Sequence, residues 1–178
     1  FALPLMLGNV FQQLYTVVDT MVVGKALGVT ALAALGSADW LNWMMLGIIQ
    51  GITQGFGILM AQEFGASKFE ELRKTVGSSI MLSFLSSIVL LCTGQWIARP
   101  VLVLLQTPPE IIGNALLYLR IMYLGIPIVM SYNLFATVLR SLGDGRTPLL
   151  AMIVAAVVNI TLDLLFVLVF GWGIGGAA

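Results

Sequence analysis

The feature that most constrains this 178-residue chain is a series of long intervals without any charged residue. Residues 40–62, 75–98 and 121–139 contain no Asp, Glu, Lys or Arg. A helix needs about 20 apolar residues to cross a hydrocarbon core of about 30 Å, whereas barrel strands would show segments of about 10 residues with alternating polarity. The intervals therefore predict membrane-spanning helices, in agreement with 60% hydrophobic and only 9% charged residues.

Two more intervals complete a set of five predicted spans. Residues 1–23 and 147–170 would be free of charge except for Asp19 and Asp163. We predict an all-α integral membrane protein, a single unit over residues 1–178, with about five spans and the start of a sixth near residue 174. An apolar helix pattern already runs at Phe1 and another begins at the last residues, so we expect a fragment of a longer chain. The five spans are placed at about 1–24, 38–62, 75–98, 112–140 and 147–170.

The basic residues predict the orientation in the membrane. Loops 63–74 and 140–147 carry five of the eight Lys and Arg residues, and the other three flank the opposite ends of the spans. Cytoplasmic loops of membrane proteins hold an excess of Lys and Arg. We therefore expect both loops, and the residues before Phe1, to be cytoplasmic in a multi-pass protein of the plasma (inner) membrane. The formal net charge of zero gives no reason to expect a nucleic-acid partner beside the lipid bilayer.

Asp19 and Asp163 are the candidate functional residues, because an aspartate at the centre of a membrane helix costs roughly 2.5–3.5 kcal/mol and is retained for a partner, a pathway or a proton. Asn159 lies four residues before Asp163, and therefore one turn away on the same helix face. Their oxygen atoms suit a proton or a hard cation such as Na⁺. A purely structural role, in which Asp163 bonds neighbouring polar side chains, stays open. A polar stripe leads to Asp19 at spacings of three and four: Asn9, Gln12 and Thr16.

Glycine and proline positions predict packing and bends. Gly47, Gly51 and Gly55 recur every fourth residue, a pattern typical of close helix packing, although with Gln50 and Gln54 beside it a substrate path is the alternative. Pro4 and Pro127 lie inside spans and are expected to bend them.

The proline-containing segment from Arg99 to Glu110 predicts a longer connection on the side opposite the cytoplasm, with residues 101–105 as a helix end or interfacial piece.

Enzymatic chemistry is not expected. The chain has no histidine, and its single cysteine, Cys92, lies in an apolar run, so no nucleophile–base pair can form around it. No cofactor is expected beyond a coupling ion, H⁺ or Na⁺.

Four local patterns, in this order, resemble the MATE family of multidrug and toxic compound extrusion transporters. The first includes Pro4, Asn9, Gln12, Val18-Asp19-Thr20 and Val23-Gly24-Lys25. The second is Ala61-Gln62, Gly65-Ala66 and Arg73-Lys74. The third runs from Arg140 through Gly143-Asp144 to Pro148, and the fourth from Asn159 through Asp163 to the glycines after Phe170.

The resemblance implies one lobe of a twelve-helix, two-lobe transporter, whose C-terminal lobe would be the missing partner. It implies a proton or Na⁺ site at Asp19, Asn159 and Asp163, with Pro4, Asn9, Gln12, Thr16 and Ala177 as supporting polar or hinge positions. The implied function is antiport, in which a coupling ion drives multidrug efflux of small amphipathic, cationic compounds. A lipid-linked oligosaccharide flippase of the same superfamily is the alternative, although the charge-free intervals themselves offer no Lys or Arg for a lipid headgroup. A non-transporting receptor or packing module is a further rival.

Overall fold

The computed structural model describes residues 29–163, together with Val17, Leu165, Phe166 and Phe170. The described part is helical and contains no β-strand. Apart from Val17, the first predicted span lies outside these residues, as does the start of the sixth. Five helices follow one another: α1 (Val29–Gly65), α2 (Phe69–Leu104), α3 (Pro109–Leu124), α4 (Ile126–Ser141) and α5 (Arg146–Asp163).

Local sequence explains where the helices begin. Pro109 occupies the first turn of α3, where a missing backbone N–H costs nothing. Glu70 and Glu71 lie in the first turn of α2, where carboxylates complement the positive end of the helix dipole. The connection before α2 is tight, since Ser67 adopts a positive φ of 57°.

Among the described residues, two helices are long and apolar enough to cross a membrane alone, through Ala38–Gly65 in α1 and Phe69–Leu104 in α2. Helices α3 and α4 together form a third candidate span, bent by 47°. The bend lies at Gly125, two residues before Pro127. The residue before a proline is biased away from helical geometry and the proline lacks a donor, so the predicted bend at Pro127 is confirmed.

The expected long connection that starts at Arg99 is wrong, whereas the prediction of a helix end at residues 101–105 is confirmed. Helix α2 continues through Pro100 as far as Leu104 and leaves only residues 105–108 as a connection. Ala98 and Leu102, on either side of Pro100, are 2% and 0% exposed in the core. Burial of both side chains offsets the single backbone hydrogen bond that Pro100 removes.

The core lies between α1, α2 and the bent pair α3–α4, and α5 packs mainly against α4. Helix α1 contributes an inward stripe at spacings of three and four, as expected for a helix with one packed face. Helix α2 has an inward stripe of its own, which includes the small residues Ser79, Ser83 and Ser87. Small side chains allow neighbouring helices to pack closely. The buried members from α1 are Ala38, Leu41, Met45, Ile49, Thr53 and Met60.

The closest approach between α1 and α4 is at Gly57. A Cβ atom at this position would overlap Thr137 Cγ2 and lie 3.4 Å from Ser141 Oγ. The Ser141 hydroxyl donates to the Gly57 carbonyl oxygen (3.0 Å), so a hydrogen bond joins the two helices at their crossing. A similar approach joins α2 and α3, because a Cβ on Gly94 would lie 2.9 Å from Tyr123 Cδ2.

The repeated glycines behave differently. A Cβ atom on Gly47, Gly51 or Gly55 would meet no described atom within 4 Å. Among the described residues no other helix packs against these three glycines, so their close packing stays a prediction. They lie on the exposed side of α1, while the inward stripe makes the helix contacts.

Candidate functional site

The predicted coupling residues come from both ends of the chain: Asp19 lies near its start, and Asn159 and Asp163 lie near its end. The structure describes the helix that carries Asn159 and Asp163. Asn159 lies in α5 and Asp163 is its last residue, so the two positions are one helical turn apart. The side chain of Asp163 is outside the described set. Asp19 lies outside the described residues, as do the supporting positions Pro4, Asn9, Gln12, Thr16 and Ala177. Whether the helices bring Asp19 to Asn159 and Asp163 stays a prediction.

Asn159 is the one predicted site residue whose side chain can be described. The residue is half-buried, and its Oδ1 atom is fully buried without a hydrogen-bond partner among the described residues. A buried amide oxygen without a donor costs roughly 1–3 kcal/mol, so most such atoms in proteins are satisfied. A proton donor or a cation would satisfy this oxygen.

The turn between α4 and α5 fixes the start of the helix that carries Asn159. Asp144 Oδ1 accepts hydrogen bonds from the backbone N–H groups of Arg146 and Thr147, both at 3.0 Å. The Thr147 hydroxyl donates to Asp144 Oδ2 at 2.6 Å. These bonds satisfy N–H groups that have no partner inside the helix. Gly143 precedes this cap with a φ of 90°, a conformation that favours glycine.

The same bonds set the charge state of the cap. Hydrogen bonds from Thr147, first from its hydroxyl and then from its backbone N–H, hold the pKa of Asp144 below its ordinary value. The Asp144 carboxylate therefore stays ionised into moderately acidic solution, where it can continue to cap α5.

Hydrogen bonds between the helices place the two charged turns at one end of the bundle. Glu63, at the end of α1, accepts a bond from the Thr75 hydroxyl near the start of α2 (2.8 Å). Near the same end, Ser141 of α4 bonds to Gly57 of α1. The turns that follow α1 and α4 are therefore neighbours.

The exposed face of α1 is a second candidate surface. It carries Gly47, Gln50, Gly51, Gln54 and Gly55, all exposed within a segment apolar enough to span a membrane. Large apolar side chains are exposed on both helices, and on α1 they include Trp40, Met44 and Ile58; the exposed Gln50 and Gln54 distinguish α1. Examples on α2 are Met81 (72% exposed), Phe84 (65%) and Leu85 (58%). Lipid tails suit the α2 face, whereas glutamine amides in hydrocarbon would lose their hydrogen bonds to water.

Comparison with known proteins assigns the family. The MatE family model matches residues 4–165. This chain belongs to the MATE family. Known MATE proteins are multi-pass transporters of the plasma membrane and not enzymes. The resemblance seen in the sequence, the all-helical fold class and the expectation of a non-enzymatic protein are therefore confirmed.

MATE proteins with names that refer to drug resistance are similar along the whole chain. The probable multidrug resistance protein YoeA of Bacillus subtilis (strain 168) is 36% identical, over 100% of this chain and 39% of its own length. The probable multidrug resistance protein YpnP of the same organism is 34% identical, over 100% of this chain and 40% of its own. The chain thus spans about two fifths of the length of these MATE relatives.

A solved MATE structure has the same fold. It is described as the outward-facing conformation of a multidrug resistance MATE family transporter of the MOP superfamily. It superimposes with a TM-score of 0.92 at 26% identity, over 98% of this chain and 38% of the solved one. The helices described above therefore form part of a MATE architecture.

One residue of the exposed α1 face did not enter the sequence-based candidates. Asp39 lies directly before the charge-free interval that begins at Trp40, inside the predicted span 38–62. In the structure, Asp39 is the eleventh residue of a continuous helix and lies within the membrane-spanning stretch Ala38–Gly65. The signal that could have identified it is its spacing of four residues from Trp43, which puts both on one helix face.

Proposed function

We propose that the whole protein, of which this chain is a part, is a secondary active transporter that exports small amphipathic cationic compounds in exchange for H⁺ or Na⁺. The observation that carries the proposal is the match to the MatE family over residues 4–165. It is supported by the relatives YoeA and YpnP, both named as probable multidrug resistance proteins.

The coupling ion is proposed to bind between the first and fifth spans, at Asp19, Asn159 and Asp163. Two aspartates in otherwise apolar spans are costly unless they serve a partner or a proton. The buried, unpartnered Oδ1 atom of Asn159 supports this location, because it offers an oxygen ligand one turn from Asp163. Supporting or hinge roles are proposed for Pro4, Asn9, Gln12, Thr16 and Ala177.

The orientation proposed from the basic residues agrees with the packing. Loops 63–74 and 140–147 are proposed to be cytoplasmic, and the hydrogen bonds Thr75–Glu63 and Ser141–Gly57 put both at one end of the bundle. Gln95 Nε2 donates to the carbonyl oxygen of Arg120 at 2.8 Å, which keeps Arg99 and Arg120 together towards the other end. The two groups of basic residues are therefore separated along the bundle, as the positive-inside pattern requires.

A flippase for lipid-linked oligosaccharides would need cationic side chains to hold a phosphate headgroup. Helix α1, which carries the exposed glutamines, contains no Lys or Arg over its 37 residues. An exposed cation, Arg120, does lie within the bent span formed by α3 and α4. The α1 face therefore offers no cation for a phosphate, and the flippase remains the second candidate.

The decisive experiment is efflux of a fluorescent cationic dye from vesicles that contain the full-length protein, with the proton and sodium gradients collapsed separately. We expect collapse of one gradient to stop efflux, and we expect Asp19→Asn and Asp163→Asn each to abolish gradient-driven efflux while the protein still inserts. Asn159→Leu should weaken the response to the coupling ion. Glu110→Gln is the matched control, because it removes an exposed carboxylate from the first turn of α3. Efflux that survives in both aspartate variants would refute the site.

A further inference from the structure

The exposed face of α1 has a chemical character that a lipid contact does not explain. Gln50 and Gln54 are exposed inside the membrane-spanning stretch, and the exposed Gly47, Gly51 and Gly55 beside them carry no side chain. The chain covers about two fifths of its relatives' length. Glutamine amides inside a span suit an aqueous path better than hydrocarbon.

Asp39 and Trp43 lie towards the N-terminal end of this face. Both residues are exposed, and Trp43 retains 59% of its accessible surface. Their spacing of four residues in a continuous helix puts the two side chains on the same side, about one turn apart. Asp39 forms no ion pair with any residue that the structure describes, since the one ion pair found there joins Lys68 and Glu71.

We propose that Asp39 and Trp43 together bind the cationic group of the exported compound; this inference rests on the proposed function. The carboxylate supplies an opposite charge, and the indole face supplies a cation–π contact. An indole within about 6 Å of a cation contributes roughly 0.5–2 kcal/mol, with the larger values in desolvated sites. Trp43 and the glutamine amides beyond it also offer contacts to the uncharged part of an amphipathic molecule.

The chemistry of the pair favours an organic cation over a metal ion. A metal ion such as Ca²⁺ or Mg²⁺ takes six or more oxygen ligands, whereas this pair offers a single carboxylate beside an indole. A delocalised or alkylated cation is weakly hydrated and can lie against an aromatic ring. Trp96 of α2 shows the contrasting case: it is 88% exposed, has no carboxylate within four residues of it on α2, and is typical of a tryptophan at the membrane interface.

The test is the substrate dependence of efflux by the full-length protein in vesicles, with tetraphenylphosphonium as the cationic probe and an uncharged dye of similar size as the comparison. We expect Asp39→Asn to raise the KM for tetraphenylphosphonium about tenfold, equivalent to about 1.4 kcal/mol, with little change in maximal rate. Trp43→Ala should raise this KM about fivefold, and Trp43→Phe less. The KM for the uncharged dye should change less than twofold in Asp39→Asn.

Glu110→Gln and Trp96→Ala are the matched controls for a lost carboxylate and a lost exposed indole, and both should leave the KM values unchanged. The proposal is overturned if Asp39→Asn leaves the KM for tetraphenylphosphonium unchanged, or if it impairs charged and uncharged probes equally, as a structural role would predict. Both results can be told apart from failure of the proposed function, which would show as a wild-type protein without gradient-driven efflux.

Discussion

The crossing of α1 and α4 gives a sharp prediction about stability. Gly57→Ala adds one methyl group that overlaps Thr137 Cγ2 and lies 3.4 Å from Ser141 Oγ, whose hydrogen bond to the Gly57 carbonyl joins the helices. Forcing an extra carbon into a packed core costs about 1–3 kcal/mol, and the higher helix propensity of alanine returns up to about 1 kcal/mol. We therefore expect a net loss of about 1–2 kcal/mol.

A second substitution, at Thr137, should relieve the clash. Thr137→Ser removes Cγ2 and keeps the hydroxyl oxygen that accepts a bond from Arg140 Nη2. Combined with Gly57→Ala, it should restore much of the lost stability and give a coupling free energy of about 1 kcal/mol in a double-mutant cycle. The assay is SDS-induced unfolding of the full-length protein in mixed micelles, read from tryptophan fluorescence.

The matched control is Gly77→Ala in α2. A Cβ at Gly77 meets no described atom within 4 Å, and Met81 and Phe84, one and two turns further on, are largely exposed and apolar. Gly77→Ala should be neutral or slightly stabilising. The packing argument is refuted if Gly57→Ala is no more destabilising than Gly77→Ala, or if Thr137→Ser brings no recovery.

Two further predictions concern hydrogen bonds near the charged turns. Thr75→Val removes the only donor to the Glu63 carboxylate among the described residues and should lower the free energy of unfolding by about 1–3 kcal/mol in the same assay. Thr93→Val is the control, because the Thr93 hydroxyl bonds only carbonyl oxygens of its own helix. An equal loss of stability in the two variants would contradict the prediction. Because the pKa of Asp144 is lowered in the folded protein, its contribution to stability is present above the ordinary value of 3.8 and is lost as the pH falls through the lowered pKa. Thr147→Val should raise this pKa, so that acid destabilisation, followed by thermal unfolding from about pH 6 to about pH 2, begins at a higher pH than in the wild type; identical pH profiles would argue against it.

The turns and the bend could be predicted because they depend on neighbouring residues. Pro127 removes a donor and disfavours helical geometry just before it, whatever packs around it. Pro100 has the same intrinsic effect, yet α2 continues through it. Whether the helix continues through Pro100 depends on the burial of Ala98 and Leu102. This burial cannot be inferred from the neighbouring residues in the sequence.

The faces of α1 could not be assigned from spacing alone, which is why the repeat of Gly47, Gly51 and Gly55 did not identify the contact between α1 and α4. Four-residue spacing shows that glycines share a face, but it does not show which face meets a neighbour. The glycine that makes the contact, Gly57, lies outside the repeat, and it was identifiable only once α4 had been placed beside it.

The same reasoning explains why the polar face is informative about function. If the glycine stripe packed against another helix, Gln50 and Gln54 would contact that helix as well. With that contact absent among the described residues, the two amides must be satisfied by groups from elsewhere in the whole protein or by water. The inward stripe of α1 already binds the helix to α2 and α4 through Ile49, Gly57 and Met60. The opposite stripe lies outside the core that the described helices form, so a substitution such as Asp39→Asn removes a charge without changing a side chain of that core.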